Sequence, residues 1–350
     1  MSDQSPKAVI SARIDRFLAD GIHYRDLMKI QEQIASWEDW PSVWSNFAAE
    51  AEARGDDALS RGNKLTASSE YARASIYYHY AQYLFYDDIE KKKAIHDKKN
   101  AAFLKAAPLF RSPVERVEVP FEGINIAGYF RRPHGVSNPP VVICVGGLDT
   151  TKEDFLNFTD LCMDRGLATF AYDGPGQGET LFQMRLRPDY ERTVSAAIDY
   201  LETRSEIDAS RIGIIGRSMG GYYAPKAAAV EPRLKALVCW GVLYSLYNLA
   251  EKKGSSRDGL LYISGSKTME EALKFYEFMN LKGFADKITC PMMVVHGGLD
   301  MQTPMVNADR LLADAKGEVE TLIWPDAGHC CHDRAHIARP AMADFFVRTL

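Results

Sequence analysis

The sequence predicts an α/β protein in which a mostly parallel, doubly wound sheet follows an all-helical segment. Three observations carry this. From about residue 111 short β-branched runs alternate with helical patterns. Before residue 110 the chain keeps helical spacing and, after Pro6, holds one proline, Pro41, up to Lys105. Glycine-rich turns then sit where strand runs end, as crossover connections require.

The elements follow in chain order. Residues 1–110 read as a helical domain that contributes to the pocket and to dimerisation. In Ser68 to Tyr86, small residues alternate with Tyr71, Tyr77, Tyr78, Tyr80, Tyr83, Phe85 and Tyr86, which suits closely packed helices with one aromatic face. That face either packs as core and interface or walls a substrate pocket. The basic run Lys91, Lys92, Lys93, Lys98 and Lys99 reads as a solvated helix face.

Residues 111–350 read as the catalytic domain. Strands are expected at Glu115 to Pro120, Asn125 to Arg131, Pro140 to Val145, Ala168 to Tyr172, Arg211 to Ile215, Ala236 to Trp240, Met292 to His296 and Glu318 to Trp324. The first two are close enough, across Phe121-Glu122-Gly123, to form an antiparallel hairpin. Helices are expected at Lys152 to Arg165, Pro188 to Arg204, Met219 to Val230, Pro304 to Ala315 and Arg334 to Thr349. The alternation breaks over residues 241–289. There two helical patterns, Ser245 to Lys253 and Thr268 to Lys282, flank a polar Gly/Ser stretch, which reads as a helical lid insertion after the sixth strand.

Composition narrows the class. With 350 residues, 46% hydrophobic, 25% charged and a formal charge of −5, the chain has a sizeable core and lacks the basic footprint of a nucleic-acid binder. Residues 1–15 lack a signal-peptide pattern, and no apolar run is long enough for a bilayer, so a cytoplasmic location and no membrane partner are expected. The six cysteines show neither a disulfide framework nor paired zinc spacing. His329, His332 and His336 beside Cys330 and Cys331 lack a zincin pattern, so no metal is expected.

Chemistry enters at Gly216-Arg217-Ser218-Met219-Gly220. The pattern Gly-x-Ser-x-Gly is weak alone, but here it follows an apolar strand and opens a small-residue helix, the context of a nucleophile elbow. A serine hydroxyl needs a base and the base needs a carboxylate, in the chain order Ser, acid, His for such a sheet. Asp300 and His329 each lie on the loop after a strand and so reach the same rim as Ser218. Asp326 is too near His329 in sequence, and His296, His332 and His336 sit off the expected loop end. Oxyanion donors are expected from the Met219 amide and from Gly146-Gly147-Leu148-Asp149, with Leu148 preferred and Gly147 as runner-up. The loop Asp173-Gly174-Pro175-Gly176-Gln177-Gly178-Glu179-Thr180 matches neither a dinucleotide nor a Walker pattern and reads as a structural turn, so no cofactor is expected.

Together these motifs resemble the α/β-hydrolase superfamily. Gly146-Gly147-Leu148-Asp149 with Lys152-Glu153, the Asp173 to Gly178 loop, the elbow and Gly328-His329-Cys330-Cys331-His332 are similar to one branch. That branch holds 2,6-dihydroxypseudooxynicotine hydrolase, fungal polyketide-shortening hydrolases and the fermentation-respiration switch protein group; the segment before residue 110 is similar too. The resemblance implies hydrolysis of a carbon-carbon bond in a small β-dicarbonyl or acyl-aromatic ketone. A carboxylesterase or thioesterase on the same triad, and a non-catalytic binding protein, are the alternatives. It also implies a homodimer, and a substrate-positioning glutamate after the sixth strand, where this chain has Asn248 with Glu251 a turn later.

Overall fold

The computed structural model describes residues 4–250 and 256–350. The chain divides into two compact units, Met1–Glu115 with Gly254–Gly259, and Arg116–Lys253 with Leu260–Leu350.

The first unit is built from α1 (Pro6–Ala12), α2 (Ile14–Ala19), α3 (Tyr24–Gln33), α4 (Trp40–Ser60), α5 (Lys64–Gln82) and α6 (Ile89–Ala106). Side chains supply some of the amide partners that helix starts lack: Ser5 accepts from the Ala8 amide, and Asp88 from Lys91. Its core is aromatic. Phe17, Trp40, Trp44, Tyr77, Tyr80 and Tyr83 are buried, with Trp40 donating its indole N–H to the Tyr80 carbonyl at 2.7 Å. The tyrosines of α5 therefore pack inside the unit instead of lining a face, which is the first of the two readings the sequence left open. The lysine run departs from its reading as a solvated face. Lys91, Lys93 and Lys98 are exposed, but Lys92 and Lys99, one i,i+7 step apart, turn inward. Lys92 donates to the Gln82 carbonyl at 2.8 Å and lies over the Tyr86 ring.

The second unit is an eight-stranded sheet: β1 (Val114–Phe121), β2 (Ile124–Arg131), β3 (Val141–Val145), β4 (Ala168–Tyr172), β5 (Ile212–Arg217), β6 (Leu234–Trp240), β7 (Met292–Gly297) and β8 (Val319–Trp324). Their order is β1-β2-β4-β3-β5-β6-β7-β8. β2 runs antiparallel to β4, and from β4 onward every pairing is parallel. β3, β4, β5 and β7 are buried along their whole length, which is why they read as unbroken apolar runs instead of alternating ones.

The crossover helices are α7 (Leu156–Met163), α8 (Glu191–Glu202), α9 (Gly220–Ala228), α13 (Val306–Asp314) and, after β8, α14 (Ala335–Thr349). Between β6 and β7 lie α10 (Leu246–Ala250), α11 (Arg257–Ser264) and α12 (Met269–Tyr276). α11 falls in the polar Gly/Ser stretch that the sequence reads as non-helical. Its Leu260 and Ile263 are nevertheless about 1% exposed, and burying that apolar pair outweighs the weak propensity of Asp258, Gly259 and Ser264. Among the described residues no helix is long and apolar enough to cross a membrane. The six cysteines are free and buried.

The strand order sets where a site can form. β4 lies on one side of β3 and β5 on the other, so the loops leaving β3 and β5 diverge and open a crevice at the carboxyl ends of the strands. Those two loops carry Gly147-Leu148 and Ser218.

Candidate active site

Ser218 sits between β5 and α9 with φ +59°, a left-handed conformation that a non-glycine residue adopts only where its surroundings enforce it. Here they do. A Cβ at Gly216 would lie 1.9 Å from the Gly220 carbonyl oxygen, and one at Gly220 would lie 2.4 Å from that of Val145. Strand, elbow and helix thus touch through bare backbone, and the Ser218 amide is anchored on the Trp240 carbonyl at 2.8 Å. The turn projects the side chain above the sheet.

The base arrives from the loop after β8. His329 Nε2 lies 3.0 Å from Ser218 Oγ, and its Nδ1 lies 2.7 Å from Asp300 Oδ2. Asp300 Oδ1 accepts from the Gln302 and Thr303 amides, both at 2.8 Å, and Oδ2 accepts from the Thr303 hydroxyl at 2.6 Å. Burial would raise the Asp300 pKa, but His329 beside it, with the Thr303 hydroxyl and amide, outweighs burial and holds the carboxyl well below the usual carboxylate range. Burial by itself would lower the His329 pKa; the Asp300 carboxylate beside it reverses the sign and raises it above the ordinary 6.5. Ser218, Asp300 and His329, which the sequence singled out, are therefore brought together in one hydrogen-bonded row.

The raised His329 pKa makes a pH prediction. If His329 takes the Ser218 proton it must do so as a neutral imidazole, so kcat/KM should then fall on the acid side with an apparent pKa above 6.5. Asp300→Asn removes the anion that favours imidazolium, so the acid limb should move to lower pH while kcat drops by about 10³-fold through loss of the correct tautomer. A pH series on both proteins checks this, and an unmoved or upshifted limb contradicts it.

The other candidate residues are placed as follows. Gly147 packs against Ser218, since a Cβ there would lie 2.9 Å from Ser218 Cβ and 3.2 Å from the Met219 amide nitrogen. Met219 and Leu148 are buried at the same crevice. Asn248 lines a cleft of about 620 Å³ with Tyr244, Ser245, Tyr247, Lys282 and Arg310 among others, and none of Ser218, Asp300 or His329 lines that cleft. Glu251 lies outside the described residues. Asp326 is exposed and pairs with Arg334. His332 is buried, with Arg217 Nη2 at 3.3 Å, and His336 is exposed. Among the described residues no group of three or more His, Cys, Asp or Glu side chains is placed to hold a metal ion.

Three supports escaped sequence reasoning. His296 accepts from the Val242 amide through Nδ1 at 3.1 Å and donates through Nε2 to the Thr303 carbonyl at 2.8 Å, bracing the loop that presents Asp300. Burial lowers its pKa, which keeps it in this neutral tautomer. Trp240 accepts the Ser218 amide through its carbonyl, while its indole N–H donates to the Cys330 carbonyl at 2.5 Å. One residue therefore ties the elbow to the loop of His329, where Cys330 and Cys331 both take positive φ.

The third is an ion cluster. Fully buried Lys152 Nζ contacts Glu153 at 3.0 Å, Asp173 at 2.9 Å and Glu179 at 2.7 Å, and Arg116 closes on Glu179 at 2.7 Å through both terminal nitrogens. Burial pushes Glu179 up, but Arg116 and Lys152 prevail and hold it at about 2. The cluster joins the loop after β3 to the loop after β4. Apart from the neighbours Lys152 and Glu153, the pairs are distant in sequence, and no local signal announces them.

Comparison with known proteins places the chain in a family. The chain matches the family described as Esterase FrsA-like over residues 35–263, about two thirds of its length. It is 34% identical over 337 residues to the 2,6-dihydropseudooxynicotine hydrolase of Paenarthrobacter nicotinovorans, covering 96% of this chain and 91% of that one. The crystal structure of the 2,6-dihydroxy-pseudo-oxynicotine hydrolase superposes with a TM-score of 0.89 at 34% identity, over 96% of this chain and 95% of the other. Hydrolase LUC6 of a Fusarium species is 30% identical over 340 residues, covering 82% of this chain and 80% of LUC6. The chain is accordingly a hydrolase with the α/β-hydrolase fold, and it belongs to the FrsA-like esterase family.

Proposed function

We propose that this hydrolase cleaves a carbon-carbon bond beside a ketone in a small β-dicarbonyl or acyl-aromatic substrate. The observation that carries the reading is the unbroken chain of hydrogen bonds from Ser218 through His329 to Asp300, in a protein similar along nearly its whole length to the 2,6-dihydropseudooxynicotine hydrolase.

In this mechanism Ser218 Oγ adds to the ketone carbon as its proton passes to His329 Nε2, and the Met219 and Leu148 amides hold the new oxyanion. Collapse breaks the carbon-carbon bond. The electron pair leaves on carbon as an enolate, which takes the proton from His329 and leaves an acyl-Ser218. Water then adds to the acyl carbon, gives its proton to His329 and releases the carboxylic acid, restoring the Ser218 hydroxyl. Asn248 and Glu251 are the substrate-positioning candidates. The likeness to the related hydrolase extends over the helical unit, which supports a part for that unit in substrate selection. A homodimer and a cytoplasmic location belong to the same proposal.

The family description favours ester hydrolysis on the same triad as the second reading. The two differ in what leaves. A carbon leaving group needs stabilisation as an enol or by an electron-rich ring, whereas an alkoxide needs only protonation on oxygen. Purified protein should therefore hydrolyse an aryl 1,3-diketone with kcat/KM about tenfold or more above the matched aryl ester, a difference of roughly 1.4 kcal/mol. A strong ester preference assigns it as a carboxylesterase. Glu251→Gln slowing the diketone but sparing the ester would assign Glu251 to the carbon-protonation half of the reaction.

A further inference from the structure

We infer that Gln177, in the glycine-rich loop after β4, is a positioning residue that sets the oxyanion-binding peptide beside Ser218. The inference rests on the serine mechanism proposed above.

Gln177 is 3% exposed, and each end of its amide is engaged twice. Its Nε2 donates to the Gly146 carbonyl at 2.6 Å and to the Gly147 carbonyl at 3.1 Å. Its Oε1 accepts from the Gly174 amide at 3.1 Å and from the Tyr190 hydroxyl at 2.5 Å. Two donors on the oxygen leave one orientation for the amide, so the nitrogen must face the loop after β3.

That contact has a directional consequence. In a trans peptide the carbonyl and the following N–H point opposite ways, so a carbonyl held by Gln177 turns the next amide away from Gln177. The carbonyl of Gly147 belongs to the same peptide as the Leu148 N–H, and Gly147 packs against Ser218. Gln177 thus fixes the Leu148 N–H toward the space beside Ser218, where the oxygen of a tetrahedral adduct forms. Without it two buried carbonyls would lose a donor, and this glycine-rich peptide would be free to rotate. Tyr190 extends the brace by stacking on Tyr223 of α9, with ring centroids 4.0 Å apart and an interplanar angle of 10°. The helix that begins at the nucleophile and the loop that completes the oxyanion site are thereby held in one register.

The test is Gln177→Met, which keeps the length of the side chain and removes its hydrogen bonds. Serines competent for reaction are first counted by titration with a fluorophosphonate, which also controls the underlying reading. If the wild type does not label at Ser218, the serine mechanism fails independently of Gln177. Per titrated serine, kcat should fall by about 10²-fold with KM within about threefold, the signature of a lost transition-state contact. Affinity for an aryl trifluoromethyl ketone, which forms a tetrahedral adduct, should fall by the same factor as kcat/KM. The acid limb of the pH profile should stay in place, because no contact joins Gln177 to His329 or Asp300 among those described. Tyr190→Phe keeps the ring stack and removes one of the two donors to Oε1, leaving the Gly174 amide, so it should give a smaller loss of about three- to tenfold in the same direction. Wild-type kcat per serine in Gln177→Met, or an unchanged affinity for the ketone, overturns the inference. Should that variant not fold, wild-type kcat in Tyr190→Phe overturns it equally.

Discussion

Replacing Ser218 or His329 with alanine should lower kcat by at least about 10⁴-fold, a loss of roughly 5 kcal/mol in transition-state stabilisation, while the protein stays folded. The magnitude follows from how the three groups are joined. In the proposed mechanism Ser218 Oγ, at 3.0 Å from His329 Nε2, gains nucleophilic strength only as that nitrogen takes its proton, and Asp300 at 2.7 Å holds the ring in the tautomer that can do so. Removing either member leaves the others without a function, so the double variant should be barely worse than each single one. Folding should survive, because His329 is half-buried and not fully enclosed in the core, and alanine at 218 keeps the elbow backbone. Steady-state kinetics with circular dichroism checks both halves. Turnover within tenfold of wild type in Ser218→Ala would remove the covalent mechanism altogether.

The second large effect concerns stability. Lys152→Met should destabilise the second unit by about 3–5 kcal/mol, the cost of leaving buried carboxylates without their cation. Lys152 is wholly buried against Glu153, Asp173 and Glu179, and Arg116 is a second cation on Glu179. Asp173 also accepts the Lys152 and Glu179 amides, so losing the ammonium loosens both loops that face the crevice. Urea titration should show an earlier midpoint, and adding Asp173→Asn should recover part of the loss because one orphaned charge is gone. An unchanged midpoint in the single variant would mean that the cluster contributes nothing net.

Much of this was legible in the chain itself, for identifiable reasons. A strand buried on both faces reads as an unbroken apolar run, so Val141–Val145 and Ala168–Tyr172 stand out against the helices between them. The elbow is equally visible because its constraint is local: glycines two residues either side of Ser218 answer collisions within one turn. Asp300 and His329 could be named because each lies on the loop after a strand that the fold points at one rim. What stayed hidden depends on partners far along the chain. Gln177 is 31 residues from Gly146, and Trp240 is 90 residues from Cys330. The inward turn of Lys92 and Lys99 likewise reflects packing that a charge pattern does not encode. α11 was missed for the converse reason, since Gly, Ser and Asp suggest a loop while two apolar side chains decide the outcome.

The six buried thiols carry a consequence for the dynamics of the sheet. They sit on β3 (Cys144), α7 (Cys162) and β6 (Cys239), before β7 (Cys290) and in the turn after His329 (Cys330, Cys331). Burial raises the pKa of Cys144, Cys162, Cys239, Cys290 and Cys331, so in the closed state these hold little thiolate and admit no reagent. Alkylation then proceeds only through the fraction of time that each neighbourhood is open. The protein thereby carries native clocks at separate depths of one domain, and their relative rates distinguish a breathing His329 turn from an unzipping central sheet without any introduced label.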